Sequence, residues 1–147
     1  MRNLLHQKLR VSSRLTVACG LIGWLILAGC SGGGLQPVPV RGTVQYKGHA
    51  LTNGLVAFVP VDPAQGTAAR GVIGGDGRFK LTTFEKGDGA FPGEYNVTVF
   101  SHEVAEDPNF FGVMPSVIPE RYNQASTTGL TETVQNRSTV VQLELED

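Results

Sequence analysis

Beyond residue 30 the sequence has no cysteine and no tryptophan: Cys19, Trp24 and Cys30 all fall within its first 30 positions. A disulfide framework, a thiolate zinc site and a cysteine nucleophile are therefore excluded from the body of the chain. Histidine is scarce there as well. His49 and His102 are the two that remain, and neither stands in a Ser-His-Asp or zinc-ligand pattern. No apolar run reaches the ~20 residues of a transmembrane helix. No stretch after residue 30 carries a helical stripe. Acids are missing from the first 29 residues, which hold four bases, Arg2, Lys8, Arg10 and Arg14.

That basic start leads into a largely apolar run from Leu15 to Leu27, the length of a secretory signal core. The small residues Ala28 and Gly29 then leave the backbone open to a peptidase just ahead of Cys30. Leu27-Ala28-Gly29-Cys30 resembles the bacterial lipobox. The resemblance implies cleavage by signal peptidase II before Cys30, a thioether to diacylglycerol, and attachment to a lipid bilayer through the acylated cysteine. Cys19 has too little apolar sequence before it to head a rival site and leaves with the signal. Ser31, where Asp is absent, implies by the same resemblance release to an outer membrane, facing periplasm or exterior.

The expected organisation is thus a lipoprotein signal peptide over 1–29, a lipidated cysteine with a flexible Gly/Pro tether over 30–37, and one domain over 38–147. Cleavage leaves 118 residues carrying eight bases against thirteen acids, a net charge of −5. That balance excludes the basic footprint of a nucleic-acid binder.

The domain alternates with period two almost throughout. Val38, Val40, Val44 and Tyr46 share one face of a first strand. Lys47-Gly48-His49 turns the chain, and Asn53-Gly54 opens a strand from Leu55 to Val61 that is apolar on both faces and hence central. A third strand spans Thr67 to Ile73, and Asp76-Gly77 reads as a two-residue hairpin turn before Arg78 to Thr82. Tyr95, Val97 and Val99 mark the inner face of the next strand. Leu130 to Gln135 and Thr139 to Leu145 supply the last two, with Val141, Leu143 and Leu145 inward. Seven short strands with regular turns predict an all-β fold, a seven-stranded β-sandwich of transthyretin-like or Ig-like form.

Several of these segments together resemble the carboxypeptidase regulatory-like family of transthyretin-like sandwiches. They are Val40-Arg41-Gly42-Thr43-Val44, Gly48, Asn53-Gly54, Gly71 to Ile73, Asp76-Gly77-Arg78-Phe79, and Pro92 to Val99. Ile118-Pro119-Glu120-Arg121-Tyr122 and Thr127-Thr128-Gly129-Leu130 extend the likeness to small planctomycete lipoproteins. The resemblance implies an accessory, non-catalytic module with structural or protein-binding roles, no enzyme activity and no cofactor. The hydrolases of transthyretin type end in Tyr-Arg-Gly-Ser, whereas this chain ends Glu144-Leu145-Glu146-Asp147.

The segment from Ser101 to Pro119 is longer than a sandwich connection needs. Its second half holds Phe110, Phe111, Met114 and Ile118, a candidate binding loop for an envelope protein partner. The alternative is a lid folded over one end of the sandwich. A glycan- or calcium-dependent adhesion module is a further reading. Stacking would fall to Tyr46, Tyr122 or Phe110 and Phe111, and oxygen ligands to Asp62, Asp76, Asp88 and the Glu103, Glu106, Asp107 group. None of those acids has a calcium-loop spacing, and Asp before Gly is a favoured turn residue, so no metal site is assigned.

Overall fold

The computed structural model describes residues 35–105, 107, 109 and 112–147. Leu27, Ala28, Gly29 and Cys30, with Phe110 and Phe111, lie outside the described residues. The described chain is nearly all β, in eight strands: β1 Val40–Tyr46, β2 His49–Ala50, β3 Leu55–Pro60, β4 Ala69–Val72, β5 Arg78–Lys80, β6 Gly93–Phe100, β7 Thr131–Val134 and β8 Thr139–Leu145. Two single-turn 3₁₀ helices, Pro63–Gln65 and Glu120–Asn123, interrupt the connections.

The strands form two sheets facing one another across a single core. One has the order β4-β3-β6-β7, antiparallel throughout. The other is built on β1. Along one edge β1 pairs antiparallel with β2 through Tyr46–His49 and with β5 through Arg41–Lys80; along the other it pairs parallel with β8, from Val40–Thr139 to Tyr46–Leu145. The period-two pattern sorts the side chains. Val40 and Val44 of β1, Val141, Leu143 and Leu145 of β8, and Tyr95, Val97 and Val99 of β6 are all buried. β3 lies inside its sheet, which is why it is apolar on both faces. Phe58 sits at the centre, 5.7 Å from the Tyr95 ring and 6.4 Å from Phe79, centroid to centroid.

Three expectations change. The eighth strand is β2: His49 and Ala50 pair with Tyr46 and Gln45, so His49 is a strand residue and not part of the turn. The turn is Lys47-Gly48 alone, with φ of 51° and 78°, the twist that suits a two-residue hairpin. The segment around Asp76-Gly77 is not a hairpin within one sheet. Gly77 N–H donates to Gly74 O and Gly74 N–H to Arg78 O, and the chain passes from β4 in one sheet to β5 in the other. Finally, Tyr122 is buried in the core and is no stacking platform. Its hydroxyl donates to Glu146 O and accepts from Glu146 N–H and Arg121 Nη2, which fastens the end of β8.

Gly42 marks the tightest packing of the first sheet. A Cβ there would stand 2.3 Å from Val141 O and 2.8 Å from the Phe79 ring. The ring lies over the β1–β8 seam because β1 has no side chain at that point.

Phe58 tests this core directly. Phe58→Ala should lower the unfolding free energy by about 3–5 kcal/mol, whereas Val113→Ala, at a site 93 % exposed, should stay within about 0.5 kcal/mol. Denaturant titration of both variants reads the difference.

Candidate functional site

An open groove of about 1180 Å³ lies on the outer face of the first sheet and runs onto β4. It forms where the chain changes sheets. β4 and β5 remain joined at Arg70–Thr82 and at Gly74–Arg78, yet between those points β5 pairs with β1 instead. The floor is largely backbone, with Gly42, Gly71 and Gly74, and a Cβ on Gly71 would stand 2.7 Å from Lys80 O.

Five cations line the groove: Arg41, Arg70, Arg78, Lys80 and Lys86. All five are exposed, and no lining residue is acidic. They are five of the eight bases found after residue 30. Alternation puts Arg41 and Thr43 of β1, Arg78 and Lys80 of β5, and Val140 and Gln142 of β8 on this outer face. Arg41 and Lys80 are direct cross-strand partners, a like-charge pair that weakens a sheet. Arg78 has an acid nearby, Asp76 at 3.6 Å in an exposed pair; the other four make no ion pair with a described residue. Val72 and Val140 add exposed aliphatic surface, at 73 % and 64 %.

Lys86 is carried by the loop after β5, which Asp88 organises. Its carboxylate accepts from the N–H groups of Thr83, Phe84 and Glu85 at 2.7–2.9 Å. Thr82 Oγ1 accepts from Gly87 N–H, and Thr83 Oγ1 donates to Gly89 O. Partial burial alone would raise the Asp88 carboxyl, but the N–H groups of Glu85, Thr83, Phe84 and Gly89 outweigh it and hold it below the usual carboxylate range.

A smaller cleft of about 270 Å³ at the other end of β1 is lined by Tyr46, His49, Asn53, Ser101, His102 and Glu103 among others. The structure thus brings His49 and His102 to one place. Ser101, the serine of this cleft, is buried and donates to Asn53, 2.7 Å to Oδ1 and 3.0 Å to O, so it is no free nucleophile. Among the described residues no group of three His, Cys, Asp or Glu side chains is placed to hold a metal. Asp62 and Asp76 instead accept from the N–H groups of Ala64 and Arg78, as turn residues do.

The candidate binding loop is fixed at its base. His102 bridges Ser116, Glu103 N–H donates to Pro115 O, and Ser116 Oγ donates to Ile118 O. Ile118 is a core residue and presents nothing to a partner, because this base draws it under the sandwich; Met114 is half-buried. The basic groove escaped the sequence reading. Its signal was present in the outward positions of the assigned strands, but only the β1–β5 and β4–β5 pairings bring those positions together.

No family model matches the chain, and no curated protein matches it. A DUF3823 family protein from Parabacteroides merdae, known from its crystal structure, is similar at 19 % identity with a TM-score of 0.44. The likeness covers 76 % of this chain and 47 % of that one, so it extends over about half of the longer protein's length.

Two outcomes follow from this geometry. Asp88→Asn should cost about 1–2 kcal/mol at neutral pH, a charge-assisted figure reduced for partial exposure. Because the folded-state pKa of Asp88 lies below its unfolded value, its contribution is complete above the ordinary carboxylate range. It is lost as pH falls through and below that range, so urea titrations of the two proteins should converge in acid. Lys80→Gln should raise stability by a few tenths of a kcal/mol by relieving repulsion with Arg41. That gain should shrink as salt is added, as thermal melts at low and high ionic strength would show.

Proposed function

We propose that the chain is a lipid-anchored protein of a bacterial cell envelope whose β-sandwich works by binding or bracing and not by turnover. The observation that carries this reading is the position of the lipobox relative to the fold. Cys30 stands ten residues before β1, the strand on which the whole first sheet is assembled. A tether that short joins the anchor to the best-braced strand of the domain and leaves no second domain between lipid and sandwich.

The likeness to the carboxypeptidase regulatory-like sandwiches and to planctomycete lipoproteins belongs to this reading. It draws support from the residues that suggested it: Phe79 and Tyr95 are core aromatics, and Gly77 has a φ of 76° at its turn. Ile118, Tyr122 and Thr128 of the C-terminal segment are buried, so that segment serves the fold.

Expression with the native signal in a bacterial host tests the anchor. Mass spectrometry of the N-terminal peptide should find residues 1–29 removed and a diacylglyceryl group with acyl chains on Cys30. Cys30→Ala should accumulate as the uncut precursor. An unmodified Cys30, or a mature chain beginning at another residue, overturns the reading.

A further inference from the structure

We propose that the groove face, β8-β1-β5 with β4, is a docking surface for the anionic headgroups of the membrane that carries the chain. The inference rests on the lipid anchor proposed above and names what the domain does with it.

The cations gather where the chain enters the fold. Val38 pairs with Ala90, closing the loop that carries Lys86 against the entering strand. Arg41 is the second residue of β1 and faces Lys80, the last of β5. Arg70 bridges Thr82, two residues further on. Four of the five groove cations therefore lie at the tether end. Seven residues lie between Cys30 and Val38, eight steps of chain with a reach of about 28 Å at full extension. The tether thus keeps these cations at high effective concentration beside the lipid surface. At the other end of β1 stand Glu103, Glu144, Glu146 and Asp147 against two cations, Lys47, which pairs with Asp147, and Arg121, which holds Glu146 O; the balance there stays negative, which an anionic surface repels. The acids near the tether end are Asp62, Glu94 and Glu132 on the second-sheet side and Glu85 and Asp88 in the loop that carries Lys86; none lines the groove, and the Asp88 carboxylate is taken up by backbone N–H groups. Charge thus favours one orientation, with the groove face down on the bilayer. The exposed Val72 and Val140 would meet the interface beside the headgroups. The groove lacks an acidic counter-charge for Arg41, Lys80 and Lys86, and phosphate would supply it.

The mature lipoprotein has no free thiol once Cys30 is acylated, so Val72→Cys gives a single attachment point in the groove for an environment-sensitive fluorophore, and Val113→Cys one in the loop after β6. The labelled proteins are reconstituted into vesicles of phosphatidylcholine alone or mixed with phosphatidylglycerol, and attachment is read separately by flotation. The expected result is a blue-shifted, brighter Val72→Cys probe in the anionic vesicles only, reversed by salt, with the Val113→Cys probe unchanged. The pair Arg41→Glu with Lys80→Glu keeps a like-charge pair across the strands and so spares the fold, as its melting temperature would show. It should reduce the docked fraction by at least about tenfold. A protein that floats with both vesicle types while its Val72→Cys probe reads the same in each overturns this inference and leaves the anchor standing. A protein that floats with neither overturns the anchor and this inference together. A probe that answers soluble dextran sulfate but not anionic vesicles overturns it in favour of a soluble acidic polymer.

Discussion

The structure depends on one strand with too many partners. β1 shares its first edge between β5 and β2 and gives its second edge wholly to β8, in parallel register over seven residues. A parallel pair needs a long crossover, and here the crossover is nearly the whole chain. The first and last strands of the fold are thus direct neighbours, and the sheet that β1 begins is completed by β8. Arg121 and Tyr122 then fasten Glu146 directly beyond it. The ring of Tyr122 also lies under the Arg121 guanidinium at 4.7 Å, so the same short helix serves as clasp and as core.

The shared edge of β1 has a second consequence. Because β5 leaves β4 to pair with β1, the two sheets join at one corner through a strand pair that is closed at its ends and open in the middle. A side chain at Gly42 or Gly71 would collide with backbone or with the Phe79 ring there, so the corner is floored by glycine. Open middle and bare floor together make the groove. Four of the cations that line it come from strands whose inner faces are committed to the core, which fixes the backbone positions from which those side chains project. Only Lys86 rides on a loop, and that loop is tied to the Asp88 carboxylate by three backbone N–H groups.

Much of this was legible in the sequence. Period-two alternation located β1, β6 and β8 and their inner faces, because burial on a pleated strand leaves that mark in each residue. Apolar residues on both faces of Leu55 to Val61 announced an interior strand, which the fold realises as Leu55–Pro60. What could not be read was pairing. Arg41 and Lys80 are 39 positions apart, and nothing local says that they are neighbours. The Asp76-Gly77 signal was read correctly as a turn and wrongly as a hairpin, because a turn fixes the direction of the chain and not the sheet that it enters. Tyr122 and Ile118 looked like surface aromatics and loop apolars. Their burial follows from the hydrogen-bonded base of the 101–119 segment and from the clasp on Glu146, both of which are long-range contacts.

Net charge gave a similarly partial answer. A mature charge of −5 excludes a chain that is basic overall, yet it says nothing about distribution. The fold sorts what the composition mixes. Strand alternation turns Arg41, Arg78 and Lys80 outward on one sheet, the sheet-crossing corner brings Arg70 and Lys86 beside them, and the C-terminal acids follow β8 to the far end. Repulsion between Arg41 and Lys80 is a cost that core packing has no need to bear, since both side chains point away from it. A cross-strand pair set for stability alone would carry opposite charges; the like pair of Arg41 and Lys80 is the local cost that the proposed anionic surface would offset.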